Sequence, residues 1–194
     1  MRVFCDASQR AYVAVLYVRS SKRDGIIVRL SCSKNRFASV KKITLTRLQL
    51  LAALVGARLL QYFCRETGLD IRDVTLWTDA TVALSWIRSN PSRRKTFVCN
   101  RVTEIQTYTT PTQWKNCPGV DNPADYLPRG MNVEQLKDLH TWWRGPAWLS
   151  KGVELWPRDG DNKEQSPPKE RKNSHPVLHI QTPATLLDPS RLLG

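Results

Sequence analysis

The stretch LTRLQLLAALVGARLLQYF, residues 45–63, sets the architecture because its apolar residues recur at helical spacing. Thr46, followed three residues later by Gln49, has the pattern of a capping box, which predicts a helix start near residue 46. Gly68 is suited to end the helix. We therefore predict one long helix from about residue 46 to Gly68.

Short strands are predicted on both sides of this helix. Residues 2–5, 11–19 (AYVAVLYVR) and 25–33 (GIIVRLSCS) are rich in β-branched and aromatic residues, which indicates three consecutive antiparallel strands. Residues 73–79 (DVTLWTD) follow the helix and have the pattern of a buried strand. A parallel crossover through the helix would place this fourth strand beside the first.

The remaining elements complete an α/β pattern. A second helical segment ends at Asn90-Pro91, and a third covers residues 97–108. A short strand is predicted at residues 113–117 (QWKNC), and helix signals return near Val133. The predicted fold is α/β, with a mixed five-stranded sheet of three antiparallel strands plus two parallel strands, flanked by helices.

The folded part should end near Trp156. We predict one domain over residues 1–156 and a disordered linker over residues 157–194, where the sequence becomes polar and proline-rich. Of the formal net charge of +13, the first 150 residues carry +12. This excess attracts polyanions, nucleic acid first and an anionic membrane second, although a basic surface can also serve only solubility.

Several protein classes are disfavoured by the composition. No run of about 18 apolar residues and no secretory signal are visible, so we predict no membrane association and no secretion. The five cysteines include no Cys-x-x-Cys pair, which fits reduced thiols in an intracellular protein, cytoplasmic or nuclear. His175 and His179 have a zinc-ligand spacing, but without paired cysteines we interpret them as solvated tail residues.

Three aspartates are candidates for metal binding. Asp6 ends the first predicted strand and Asp79 ends the fourth, so both carboxylates should emerge at the same edge if these strands are neighbours. Asp125 lies at the start of the last predicted helix and could reach the same point. Converging carboxylates in a basic surface suit Mg²⁺. Two such ions about 3.5–4 Å apart can activate water and stabilise the leaving oxygen of a phosphodiester.

Each aspartate also has a purely structural interpretation. Asp6 could form an Asx-turn after its strand, and Asp79 and Asp125 could each cap the helix that follows. Taken singly, these interpretations are favoured. The joint position of the three residues relative to the strand order favours the metal site.

Basic and polar residues near the helix starts are candidates for nucleic-acid contacts. Lys41 and Lys42 precede the long helix, and Trp86 is interpreted as a core residue. The alternative is a solvated basic surface. The residues that we assign to nucleic-acid binding are Ser8, Arg47, Arg88, Arg93, Arg94 and Lys95.

Six short segments, in order along the chain, carry a family resemblance. They are Phe4-Cys5-Asp6-Ala7-Ser8, Leu45-Thr46-Arg47-Leu48, Leu76-Trp77-Thr78-Asp79, Trp86-Ile87-Arg88-Ser89, Asn122-Pro123-Ala124-Asp125 and Trp142-Trp143-Arg144-Gly145-Pro146. Together they resemble the ribonuclease H-like segment of BEL/Pao-type retrotransposon polyproteins. The resemblance implies a reverse transcriptase before this segment and an integrase after it.

The same resemblance implies a metal site of four carboxylates that binds Mg²⁺ or Mn²⁺ and cleaves the RNA strand of RNA–DNA hybrids. Asp6, Asp79 and Asp125 match the first, third and fourth positions, but Gln49 stands where the family has glutamate. An amide oxygen can coordinate a metal but brings no negative charge. The capping box with Thr46 would explain Gln49 as a residue that keeps the fold while the chemistry is lost.

Two further departures from the family are Val13, where glycine is usual, and Pro128, where serine is typical. Three hypotheses follow: an active hybrid ribonuclease, a domain that binds nucleic acid without cutting it, and a structural or protein-interaction remnant. We favour an ancestral hybrid ribonuclease whose catalytic site, now with Gln49, is impaired.

Overall fold

A five-stranded sheet forms the centre of the computed structural model, which describes residues 1–39, 43–70 and 73–159. The sheet order is β3-β2-β1-β4-β5. Strands β1 to β3 pair antiparallel, and β4 and β5 extend the sheet in parallel. The predicted mixed sheet is confirmed. The strands are β1 (Arg2–Ala7), β2 (Ala11–Lys22), β3 (Gly25–Phe37), β4 (Thr75–Thr78) and β5 (Trp114–Asn116).

Helices cover both faces of this sheet. Those in the described residues are α1 (Leu45–Thr67), α2 (Thr81–Ile87), α3 (Thr96–Tyr108), α4 (Tyr126–Arg129), α5 (Val133–Asp138) and α6 (His140–Arg144). The predicted long helix is confirmed and ends at Gly68, which has a left-handed φ of 66°. The prediction of a single last helix is wrong, because Gly130 adopts a φ of 85° and the chain turns again at Leu139.

The predicted capping box is also wrong. The N-cap of α1 is Thr44, which makes no side-chain capping bond, and Thr46 lies within the first turn. Since Thr46 lies inside the helix, its side chain cannot act as the N-cap, and Gln49 does not occupy the third position after the cap. Capping therefore does not explain why Gln49 is present.

The two faces of the sheet bury different sets of side chains. Val3 and Cys5 of β1 pack in the core beneath α1, whereas Phe4 packs on the opposite face beside Trp77. Because side chains alternate along a strand, Asp6 shares the face of Phe4. Trp86 is 1% exposed within the α1 core, which confirms its interpretation as a core residue.

Packing of the chain continues to the end of the described residues. The Trp156 ring lies 6.0 Å from that of Trp77, and the Asp159 carboxylate forms an ion pair with Arg88. The folded contacts thus extend three residues beyond the predicted boundary at residue 156. His175, His179 and the rest of the predicted linker from residue 160 lie outside the described residues. In the described part of the chain, every helix is too short or too polar to cross a membrane.

Gly56 permits the close approach of α1 to β1. A Cβ atom at this position would collide with Cys5 Sγ and crowd the Val3 side chain. We expect Gly56→Ala to lower the free energy of unfolding by about 1–3 kcal/mol through overpacking, despite the better helix propensity of alanine. Urea denaturation would measure the loss.

Cys5→Ala supplies the control for this prediction, because it removes the sulfur that a Cβ at residue 56 would meet. The double variant should recover part of the stability that Gly56→Ala loses. If Gly56→Ala alone is as stable as the unmodified protein, the close approach does not constrain the fold.

Candidate active site

The ends of β1 and β4 place Asp6 and Asp79 side by side. The last parallel pair of these strands is Cys5 with Thr78, and both aspartates follow one position later. The Asp6 carboxyl lies within hydrogen-bonding reach of the carboxyls of Asp79 and Asp125. The structure thus brings together the three aspartates that the sequence singled out.

Burial makes Asp6 and Asp79 difficult to ionise. Burial raises the pKa of Asp6 to about 8, and the charge of Asp79 and the hydrogen bond with Asp125 add to the effect. Burial also raises the pKa of Asp79, whose Oδ1 atom is buried and has no hydrogen-bond partner in the described part of the chain. Val13, which is fully buried, lies directly opposite Asp6 on β2. The apolar Val13 side chain helps to keep water away from the Asp6 carboxyl.

Asn122 positions the loop that carries Asp125. Its Nδ2 donates to the Cys5 carbonyl at 3.1 Å, and its Oδ1 accepts from the Ala124 backbone N–H at 3.2 Å. This 2% exposed amide ties the loop to β1 next to Asp6. In the sequence, Asn122 stands out only as part of the Asn122-Pro123-Ala124-Asp125 motif. The signal for its role is an asparagine before proline, a pattern that favours a turn held by the side chain.

The described residues fit a metal site formed by two aspartates better than one formed by four ligands. In residues 1–39, 43–70 and 73–159, no group of three or more His, Cys, Asp or Glu side chains is arranged to hold a metal ion. One Asp125 oxygen accepts from Arg129 Nε at 2.6 Å. A cation bound between Asp6 and Asp79 would give the Asp79 Oδ1 atom a partner and would lower the raised pKa of Asp6. The donor chemistry therefore fits Mg²⁺ at the Asp6–Asp79 pair.

The structural interpretations of the aspartates hold only in part. Ala80, not Asp79, is the N-cap of α2, whereas Asp125 occupies the N-cap position of α4 but makes no side-chain capping bond to it. The turn after β1 is organised by Ser8, whose hydroxyl accepts from the Arg10 backbone N–H. The Ser8 hydroxyl also donates to the Pro128 carbonyl at 2.7 Å. Ser8 thus joins the turn after β1 to α4.

Gln49 lies near the start of α1 and is half-buried. Its neighbours Leu48 and Leu50 are buried in the core. Among the described contacts, no hydrogen bond joins its amide to Asp6, Asp79 or Asp125. The expectation that Gln49 acts in the same site stays a prediction.

Two of the predicted nucleic-acid contacts lie where α1 and α3 begin. The Arg47 guanidinium lies over the Phe97 ring at 4.9 Å from its centroid, and the Arg101 guanidinium lies over the same ring at 3.9 Å. Lys95, the exposed N-cap of α3, precedes Phe97 by two residues in sequence. Arg101 was not predicted as a contact because it lies inside a helix, away from the basic run. We call Arg47, Lys95, Phe97 and Arg101 the basic–aromatic cluster.

The other predicted contacts have different roles. Arg93 is exposed, but the neighbouring Arg94 is only 7% exposed and donates to the Ser89 hydroxyl. Arg94 was therefore wrongly placed at the surface, because the turn at Pro91–Arg93 directs its side chain inward. Arg88 donates to the Trp114 carbonyl and pairs with Asp159. Lys41 and Lys42 lie outside the described residues.

Comparison with known protein families gives a match to the first part of the chain. Residues 1–80 match the family model described as the Pao retrotransposon-like RNaseH-like domain. The matched residues include Asp6, Gln49 and Asp79, whereas Asp125 lies beyond them. No curated protein and no solved structure matches the chain.

Proposed function

We propose that this chain, an RNase H-like domain of a Pao-type retrotransposon, binds RNA–DNA hybrids at the edge where Asp6 and Asp79 meet. Its ancestral reaction is the two-metal hydrolysis of the RNA strand, and we propose that this sequence performs the reaction slowly or not at all. The observation that carries the proposal is the pair formed by buried Asp6 and half-buried Asp79: the pKa of each is raised, and the Oδ1 atom of Asp79 is buried with no partner among the described residues.

The basic–aromatic cluster supports the choice of nucleic acid. Two guanidinium groups held over one ring at 4.9 and 3.9 Å present a fixed positive surface. The first turns of α1 and α3 contain no acidic residue, so their backbone N–H groups add to the attraction for phosphate. Arg47 is two residues from Gln49 on α1, which links this surface to the part of α1 where the family has its glutamate.

The aspartates would act on the scissile phosphate once a metal ion is bound. Asp6 and Asp79 would hold Mg²⁺, which would polarise the phosphate and activate a water molecule. Asp6 has to release its proton to serve as a ligand, which its raised pKa opposes at neutral pH. Asn122 holds the Asp125 loop beside Asp6, and the basic–aromatic cluster would orient the nucleic-acid backbone.

A second candidate function is nucleic-acid binding without cleavage. It is favoured by Gln49, which brings no charge, and by the engagement of Asp125 with Arg129. Both candidates require the basic surface, and only the first requires the metal ion. Binding and cleavage therefore need separate tests.

We expect the binding of RNA–DNA hybrids to weaken steeply as salt rises, because cationic side chains displace counterions from the phosphates. Arg47→Ala and Arg101→Ala should each weaken binding and reduce the slope of log affinity against log salt by about one unit. Fluorescence anisotropy with a labelled hybrid of about 20 base pairs, from 50 to 300 mM salt, would measure both quantities.

Arg65→Ala is the matched control for this experiment. Arg65 lies in the last turn of α1, about 27 Å from Arg47 along the helix axis, and pairs with Glu66. It should leave the affinity nearly unchanged, as should removal of residues 160–194, because most of the net charge lies before residue 150. Affinity that is independent of salt, or equal losses for all three arginines, would rule out the proposed interface.

A further inference from the structure

One aromatic side chain touches three separate segments of the chain. It belongs to residues 145–159, which cross the sheet face opposite α1 and which we call the C-terminal strap. The Trp148 ring lies 6.0 Å from Phe4 of β1 and 5.0 Å from Trp77 of β4. Its indole N–H donates to the Asp121 carboxylate at 3.2 Å. The half-buried Trp148 therefore joins β1, β4 and the loop after β5.

Each of these segments carries one of the site aspartates. Phe4 is two residues before Asp6, and Trp77 is two residues before Asp79. Side chains two apart in a strand lie on the same face, so each ring is the neighbour of its aspartate along the strand. Asp121 directly precedes Asn122, which anchors the Asp125 loop to β1.

We infer that Trp148 is a positioning residue for the aspartate site: it fixes the relative positions of the three segments that bring Asp6, Asp79 and Asp125 together. This inference rests on the proposed function, because the arrangement of the three aspartates serves to bind a metal ion. Trp148 itself contacts no carboxyl of the site in the described contacts. Its effect passes through Phe4, Trp77 and Asp121.

The strap is fastened by other contacts as well. Arg19 donates to the Leu149 and Lys151 carbonyls, both at 3.0 Å. Asp159 accepts from the Asn116 backbone N–H at 3.1 Å and pairs with Arg88. Trp148→Phe would therefore remove the indole N–H and part of the ring while the strap stays in place. The variant tests positioning rather than the attachment of the strap.

Hydrogen exchange of the metal-free protein gives the first test. Trp148→Phe should raise the exchange rate of amides in residues 119–126 by about tenfold, the effect of losing one partly buried hydrogen bond. Trp143→Phe is the matched control, because Trp143 is 46% exposed and its indole N–H donates to the Leu136 and Lys137 carbonyls. Asp121→Leu removes the same bond from the other side and replaces Trp148→Phe if that variant fails to fold. Asp121→Asn keeps an acceptor and should behave like the unmodified protein.

Manganese binding, measured by calorimetry with Mn²⁺ alone, gives the second test. Trp148→Phe and Asp121→Leu should weaken the affinity by about tenfold, whereas Trp143→Phe and Asp121→Asn should not. Unchanged exchange and unchanged affinity in Trp148→Phe would overturn the inference, as would equal changes in Trp143→Phe. If the unmodified protein binds no Mn²⁺ while exchange rises only in Trp148→Phe and Asp121→Leu, the positioning role stands and the proposed metal function fails.

Discussion

Replacing Gln49 with glutamate is expected to raise the rate of hybrid cleavage by about 100- to 1000-fold, the usual effect of one electrostatic stabiliser in an active site. Two Mg²⁺ ions bring four positive charges, and Asp6, Asp79 and Asp125 return three negative charges. The amide of Gln49 adds none. A fourth carboxylate would balance the charge and fix one ion. Single-turnover cleavage of a hybrid with labelled RNA, across titrations of Mg²⁺ and Mn²⁺, would measure the gain.

Gln61→Glu is the matched control for Gln49→Glu. It makes the same change of charge on the same helix, at an exposed position about 18 Å away along the axis, and should leave cleavage unchanged. Asp79→Asn in both backgrounds supplies the blank. Rapid cleavage by the unmodified chain would show that the amide is sufficient. If Gln49→Glu brings no gain, Gln49→Glu combined with Val13→Gly would test whether the valine opposite Asp6 has also disabled the site.

The sheet and the meeting of Asp6 with Asp79 could be predicted because they depend on local patterns. Three alternating runs followed by an amphipathic helix and a buried strand leave one favoured parallel crossover, and that crossover puts the ends of β1 and β4 together. The start of α1 could not be fixed in the same way. Thr44 and Thr46 are the same residue type two positions apart. The capping-box pattern with Gln49 favours Thr46, whereas the helix begins after Thr44, which makes no side-chain capping bond.

The contacts that hold the site together could not be predicted, because they join residues far apart in sequence. The bond from Asn122 to the Cys5 carbonyl spans 117 residues, and the bond from Trp148 to Asp121 spans 27. No periodicity encodes such pairs. The inward direction of Arg94 has a similar cause, since it depends on the turn that the Asn90 side chain caps. The run of basic residues therefore predicts the charge of this region, but it does not predict which of the side chains point toward solvent.

Asp6→Asn is expected to stabilise the metal-free protein, and the gain should grow as the pH rises. The pKa of Asp6 is raised to about 8 in the folded protein, chiefly by burial, whereas an unfolded aspartate has a pKa of about 4. Between these values the folded state holds a proton that the unfolded state has lost. Unfolding then releases a proton, so the free energy of unfolding falls as the pH rises toward 8.

Urea denaturation in EDTA at pH 5, 6, 7 and 8 would measure this effect. Between pH 5 and pH 8, each pH unit lowers the free energy of unfolding of the unmodified protein by at most about 1.4 kcal/mol. The stability advantage of Asp6→Asn should therefore grow by about 2–4 kcal/mol over this range. Asp24→Asn, in the exposed turn between β2 and β3, makes the same chemical change and should show no such trend. Added Mg²⁺ should stabilise the unmodified protein at pH 8 and not Asp6→Asn, because an amide offers the ion no charge. An advantage that is constant across the pH range would mean that Asp6 ionises with a pKa near its ordinary value and that burial does not penalise its charge.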